Sequence, residues 1–202
     1  MYGLVTTVPP AAEPLTLADA KTHLRVDWDA ENDLIWRWVK AARRLTEDHT
    51  GRRWLTQTVR LTLDDWAACD DDWWPGVGQV IRLPVRPVQS VATIKYYDIG
   101  GVRQTMAVGL YQTWLDHDPP LVAPAPLTVW PTPQSGRLGG VEIVFVAGES
   151  SLTAVPEQVR AAILLTLGYW YGNRGDGDDP AKLGLPAGAL RILDSLDQSG
   201  YR

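Results

Sequence analysis

Cysteine is almost absent from this chain: Cys69 stands alone in 202 residues. That excludes an internal disulfide and any cysteine-rich zinc site, so packing alone must hold the fold. Long apolar runs are missing too. The richest, Ala161 to Leu167, is far too short to cross a bilayer. The N-terminus has no basic stretch leading into an apolar core, so the expectation is a protein made and used in the cytoplasm. Positive charge is scarce. The net charge is −5, and no basic block exists beyond Arg43-Arg44 and Arg52-Arg53, which argues against a surface built to grip phosphates. Those arginines fall near the end of a predicted helix, where they would offset the negative end of its dipole.

What is present describes a globular protein. Hydrophobic residues make up 45% and charged residues 21%, which argues against disorder, and the length suits a single domain spanning residues 1–202. Ten tryptophans are unusual. Some must fill the core, but tryptophan is also enriched where proteins bury surface against partners.

No internal repeat is visible, and the chain reads as helices, then strands, then helices again. Thr16 is an N-cap with Asp19 completing a capping box, and Leu17, Ala20 and Leu24 share a face. A second helix starts near Asp29 and stops at Gly51. Leu34, Trp38, Ala41, Leu45 and His49 recur along one side of it, while Ile35, Trp36 and Val39 lie on another. A helix apolar on more than one side is sandwiched or faces a partner. From Trp54 the period becomes two, with Leu55, Val59, Leu61 and Leu63 alternating with polar residues, as in a strand with one wet face. Further strands are expected at Val80–Leu83, Val91–Tyr97, Val102–Ala107, Tyr111–Leu115 and Val141–Val146, with a hairpin turn at Asp98-Ile99-Gly100-Gly101. The Pro-rich stretch Pro119 to Pro133 reads as an extended loop or arm with at most one edge strand. Pro156 opens a third helix, expected to be the most buried, with Val159, Ile163, Thr166 and Trp170 in one stripe. A short fourth helix follows Pro186, carrying Leu190, Leu193 and Leu196 on one side.

Chemistry is hard to find. The glycine-rich loop Gly172 to Gly177 follows a helix and lacks the lysine of a phosphate-binding loop. Asp176, Asp178 and Asp179 lack the spacing of a calcium loop. In Asp116-His117-Asp118, neighbours on an extended chain point to opposite sides and do not converge. No nucleophile has a recognisable elbow or base. No catalytic residue, cofactor or metal is therefore expected.

Taken in order, "EPLTLADAKTHLRVD", "WVKAARRLTEDHTGRRW", "LPVRPVQSVATIKYYDIGG", "VEIVFVAG", "VPEQVRAAILLTLGYWYGNRGD" and "LPAGALRILDSL" resemble the head–tail connector (adaptor) family of tailed bacteriophages. The likeness spans nearly the whole chain except Ala67 to Gly78 and Pro119 to Gln134. Its strength lies in the ordered set, above all Leu83-Pro84 with Pro87 to Val91, and Val155-Pro156 with Tyr171 to Arg174.

The resemblance implies an α+β fold: a helical module of four helices in two pairs (about 16–51 and 155–197), with a small antiparallel sheet inserted between them (about 55–148). It implies a non-catalytic subunit of a ring, commonly of twelve copies, between the portal and a stopper or tail-terminator protein. DNA would be passing cargo only, no membrane would be involved, and the protein would reside in the virion after synthesis in the bacterial host. By position, Leu190, Leu193, Leu196, Tyr201 and Arg202 would engage the portal. Trp36, Val39 and Trp170 are expected at the subunit interface, because their helices are apolar on several sides. The acidic residues Asp64, Asp65, Asp70, Asp71 and Asp72 would face the lumen or rim, or form an ordinary solvated loop. An acidic balance suits a channel that must pass DNA without holding it. Competing readings are another neck protein, a small DNA-binding regulator or a hydrolase. The acidic turn Val26-Asp27-Trp28-Asp29 and the aromatic second helix count against the regulator.

Overall fold

A computed structural model describes residues 2–66, 73–74, 78–174 and 184–197. The chain forms two compact units, one from residues 1–10 and 56–148, the other from 11–55 and 149–202. The first is built of strands and the second of helices, an α+β fold with antiparallel sheets and four helices.

In the strand unit the chain begins with β1 (Tyr2–Val8), which is not among the strands expected from the sequence. It continues through β2 (Gln57–Leu63), β3 (Trp73–Trp74), β4 (Gly78–Gln79), β5 (Ile81–Arg82), β6 (Val88–Tyr97), β7 (Arg103–Thr105), β8 (Tyr111–Trp114), β9 (Leu121–Pro124) and β10 (Val141–Ala147). The main sheet has the order β1-β2-β10-β6-β7. Its register stacks like on like: Leu61 lies opposite Ile143 and Val59 opposite Phe145, while Ile143 meets Ile94 on β6. All of these side chains are buried, so each strand's period of two projects one apolar row into a shared core. Asp98 builds the β6–β7 hairpin as expected, its carboxylate accepting the N–H groups of Gly100 and Val102. Gly101 supplies the left-handed residue, at φ 78°.

The Pro-rich stretch departs from expectation. Its strand β9 is the centre, not an edge, of a three-stranded sheet β5-β9-β8, and all four of its residues are buried. Pro124 is tolerated because it ends the strand, where the missing N–H interrupts no ladder.

In the helical unit, α1 (Leu17–Leu24) starts with the capping box as read: Thr16 and Asp19 each accept the other's backbone N–H. Helix α2 (Asn32–Thr50) ends at Gly51, φ 64°. Helices α3 (Glu157–Gly172) and α4 (Ala187–Asp197) complete the unit. The core gathers Ala20, Ile35, Val39, Ala42, Trp54, Val159, Ile163, Leu167 and Leu193. Helix α2 buries the row Ile35, Val39, Ala42, Thr46 and Thr50, whereas Ala41 and His49, on the stripe picked out by spacing, are exposed. Helix α3 is less enclosed than its composition suggested, since Leu165 faces outward.

The inward face of α2 carries charge as well. Arg43 bonds Glu13 at 2.6 Å and Glu47 at 2.7 Å. Glu47 also accepts the N–H of Trp54 at 3.1 Å, and the Trp54 indole donates to Thr46. Arg53, nearly buried, donates to the Glu47 carbonyl at 3.5 Å. Burial lowers the pKa of Arg53, partly offset by the Glu47 carboxylate. The role assigned to Arg43 and Arg53 from the helix dipole is thus corrected: two carboxylates and two guanidiniums neutralise each other inside the unit.

Candidate assembly surfaces

Several groups able to do acid–base chemistry are held in structural contacts. The His117 ring takes up the Pro119 carbonyl at 2.8 Å and leans on Trp114, while Asp118 is bound by Arg86 at 2.6 Å. A shallow, open hollow of about 490 Å³ in the helical unit is lined by Asp19, His23, Glu157 and Arg160. Asp19 is held in its capping box, and Arg160 is bound to Glu157 and the Leu152 carbonyl. Among the described residues no cluster of His, Cys, Asp and Glu could hold a metal, and no helix is long and apolar enough to cross a membrane.

The residues expected at interfaces separate into three groups. Val39 and Leu193 have no exposed surface, because both fill the helical core; neither can contact another subunit, and both assignments are corrected. Trp36, Trp170, Leu190 and Leu196 are half-buried. Lys40 lies 5.7 Å from the Trp36 ring, and the Trp170 indole donates to the Gly184 carbonyl. Asp70, Asp71, Asp72, Tyr201 and Arg202 lie outside the described residues, as does the loop from Gly175 to Pro180. Asp64 accepts the Gly139 N–H at 2.9 Å, which closes the strand unit locally, and Asp65, exposed, accepts the N–H of Trp66.

Two features escaped sequence reasoning. In the helical unit, Glu31 is clamped by both guanidinium nitrogens of Arg174, at 2.5 and 3.0 Å, and by the Tyr171 hydroxyl at 2.7 Å. Arg174 stacks 3.9 Å over Tyr171, which meets Trp38 edge-on. The hydrogen bonds from Arg174 and Tyr171 hold the Glu31 carboxyl down to about 2, and the Glu31 carboxylate raises the Tyr171 phenol in turn. No local signal could join partners 143 positions apart.

The second feature is a corner of the strand unit where Val108, Leu110, Leu127 and Val129 are 76%, 50%, 107% and 85% exposed. The corner is tied down by hydrogen bonds and a ring stack. Thr128 donates its N–H and hydroxyl to the Ala125 carbonyl, and Ala125 donates to Leu110. Trp130 then stacks 4.5 Å from Trp66 and donates to the Gln79 carbonyl. An apolar surface held in place in this way has the character of a contact surface.

No protein-family model matches the chain, and no curated protein matches it. Solved structures do. A chain from the neck of an empty GTA particle computed with C6 symmetry is 27% identical, with a TM-score of 0.71, over 96% of this chain and 94% of that one. A chain from the virion of a native gene transfer agent particle is 25% identical, at TM-score 0.71, covering 95% and 93%. One from the neck of a native GTA particle computed with C12 symmetry is 29% identical, at TM-score 0.66, covering 95% and 94%. Over nearly its whole length, therefore, this chain is similar in fold and sequence to chains from the neck and virion of gene transfer agent particles.

Proposed function

We propose that this protein is a non-catalytic head–tail connector subunit, forming a ring of twelve copies under a portal and continuing the DNA channel toward a stopper or tail terminator. The observation that carries this reading is end-to-end likeness, with no unmatched domain on either side, to neck chains solved under sixfold and twelvefold symmetry. A closed ring needs two unlike surfaces on every copy, and the apolar corner is material for one. The outward sides of Leu190 and Leu196, with the residues that follow, are the part of the chain assigned to the portal. The net charge of −5 fits a conduit that must release DNA.

Mixing the purified protein with portal rings and imaging the product by electron microscopy tests the assignment. The expected product is a stacked double ring of matching axial symmetry. Single copies scattered on the particle, a ring seated only on a tail protein, or turnover of a substrate would each overturn it.

A further inference from the structure

The strand unit presents a second uncharged surface. Strand β1 is the edge of the five-stranded sheet, and no further strand pairs with its outer side among the described residues. Tyr2, Val5 and Val8 are about half exposed along it, and no charged residue occurs from Tyr2 to Ala12. The opposite edge strand, β7, is three residues long and carries Arg103. Natural sheets blunt open edges with short strands, charge or proline, because an unpaired edge recruits other strands. Strand β7 follows that rule. Strand β1 runs seven residues without charge or proline, which arrives only at Pro9 and Pro10, and its one irregularity is a register shift against β2 between Thr6 and Val8.

The corner poses the reciprocal problem. Pro126 and Leu127 are the central residues of the turn Ala125–Thr128, and Leu127 sits at φ 64°. A proline followed by a positive φ is type II turn chemistry, in which the second central position normally belongs to glycine. Leucine there is strained, and its side chain lies wholly in water. Among the described residues nothing covers that side chain. No charged residue occurs from Thr105 to Leu115 or from Pro119 to Gly136, so neither nucleic acid nor a charged protein surface finds a complement. An apolar, uncharged partner does.

We propose that Leu127, with Val108, Leu110 and Val129, docks on the open β1 edge of the next copy around the ring. This rests on the ring assigned above. The two surfaces match in charge and polarity, and they are unlike, as head-to-tail closure requires. The hydrogen-bonded turn is already ordered, so little freedom is lost when it docks.

Leu127→Gly separates assembly from folding, since glycine relieves the backbone while deleting the side chain. The expected result is a monomer melting temperature unchanged or raised, with ring formation weakened at least tenfold by native mass spectrometry. Val5→Lys on β1 is expected to weaken the ring similarly. In a Cys69→Ser background, Val5→Cys with Leu127→Cys is expected to oxidise to a covalent ladder of copies, which neither single cysteine gives. Full-strength rings from Leu127→Gly, or rings of the double-cysteine variant without a ladder, overturn the contact alone. Failure of the parent protein to form rings even on the portal would sink the ring assignment, and this contact with it.

Discussion

Replacing Glu47 by alanine asks whether the helical unit depends on charges buried in pairs. The Glu47 side chain is fully enclosed. It receives Arg43 at 2.7 Å and the N–H of Trp54 at 3.1 Å. Removing it strands a buried guanidinium that keeps only Glu13, and breaking a buried pair from one side costs about 3–5 kcal/mol. Part of that is the Trp54 N–H left without an acceptor, worth about 1–3 kcal/mol. Glu47→Gln keeps an oxygen for Trp54 but removes the charge, so about 2 kcal/mol is expected. The control is Glu157→Gln, whose pair with Arg160 is mostly solvated on the glutamate side; it should change stability by less than about 0.5 kcal/mol. Urea unfolding followed by helical circular dichroism measures all three. An alanine variant within about 1 kcal/mol of the parent, or a glutamine variant as damaging as alanine, would refute this partition.

Three further outcomes are expected. Thr16→Ala removes the α1 cap and should destabilise by about 1 kcal/mol in the same assay. Gly140→Ala would place a Cβ 2.9 Å from the Asp64 backbone carbonyl, so a loss of about 1–3 kcal/mol is expected, read from thermal unfolding of the strand signal. The Glu31 carboxyl is held to about 2 in the folded protein, against 4.5 unperturbed. Its clamp therefore stabilises fully above the unperturbed value and fades as pH falls through the folded one. The melting-temperature gap between the parent and Glu31→Gln should stay constant at neutral pH and close between about 4.5 and about 2; a gap insensitive to acid would contradict it.

Features governed by near neighbours were legible in the sequence. Thr16 and Asp19, Gly51, the Asp98 hairpin and the alternation through Val59, Leu61 and Leu63 each act within a few residues, where capping, left-handed backbone and the pleat fix the local outcome. Tertiary structure decided the rest. Helix α2 carries apolar residues on two sides, so periodicity could not choose its inner face. Partners from elsewhere did, and the winning face holds Arg43 and Glu47 because Glu13 and Trp54 complete their bonds. That same choice removed Val39 from any surface. Strand β9 looked like a proline-rich arm until β5 and β8 closed on both sides of it. Strand β1 became a strand only because β2 lies beside it, its paired residues 50 to 61 positions later in the chain. Local chemistry can name a turn or a cap; which side of an element faces inward, and what it leaves outside for another molecule, depends on distant segments arriving.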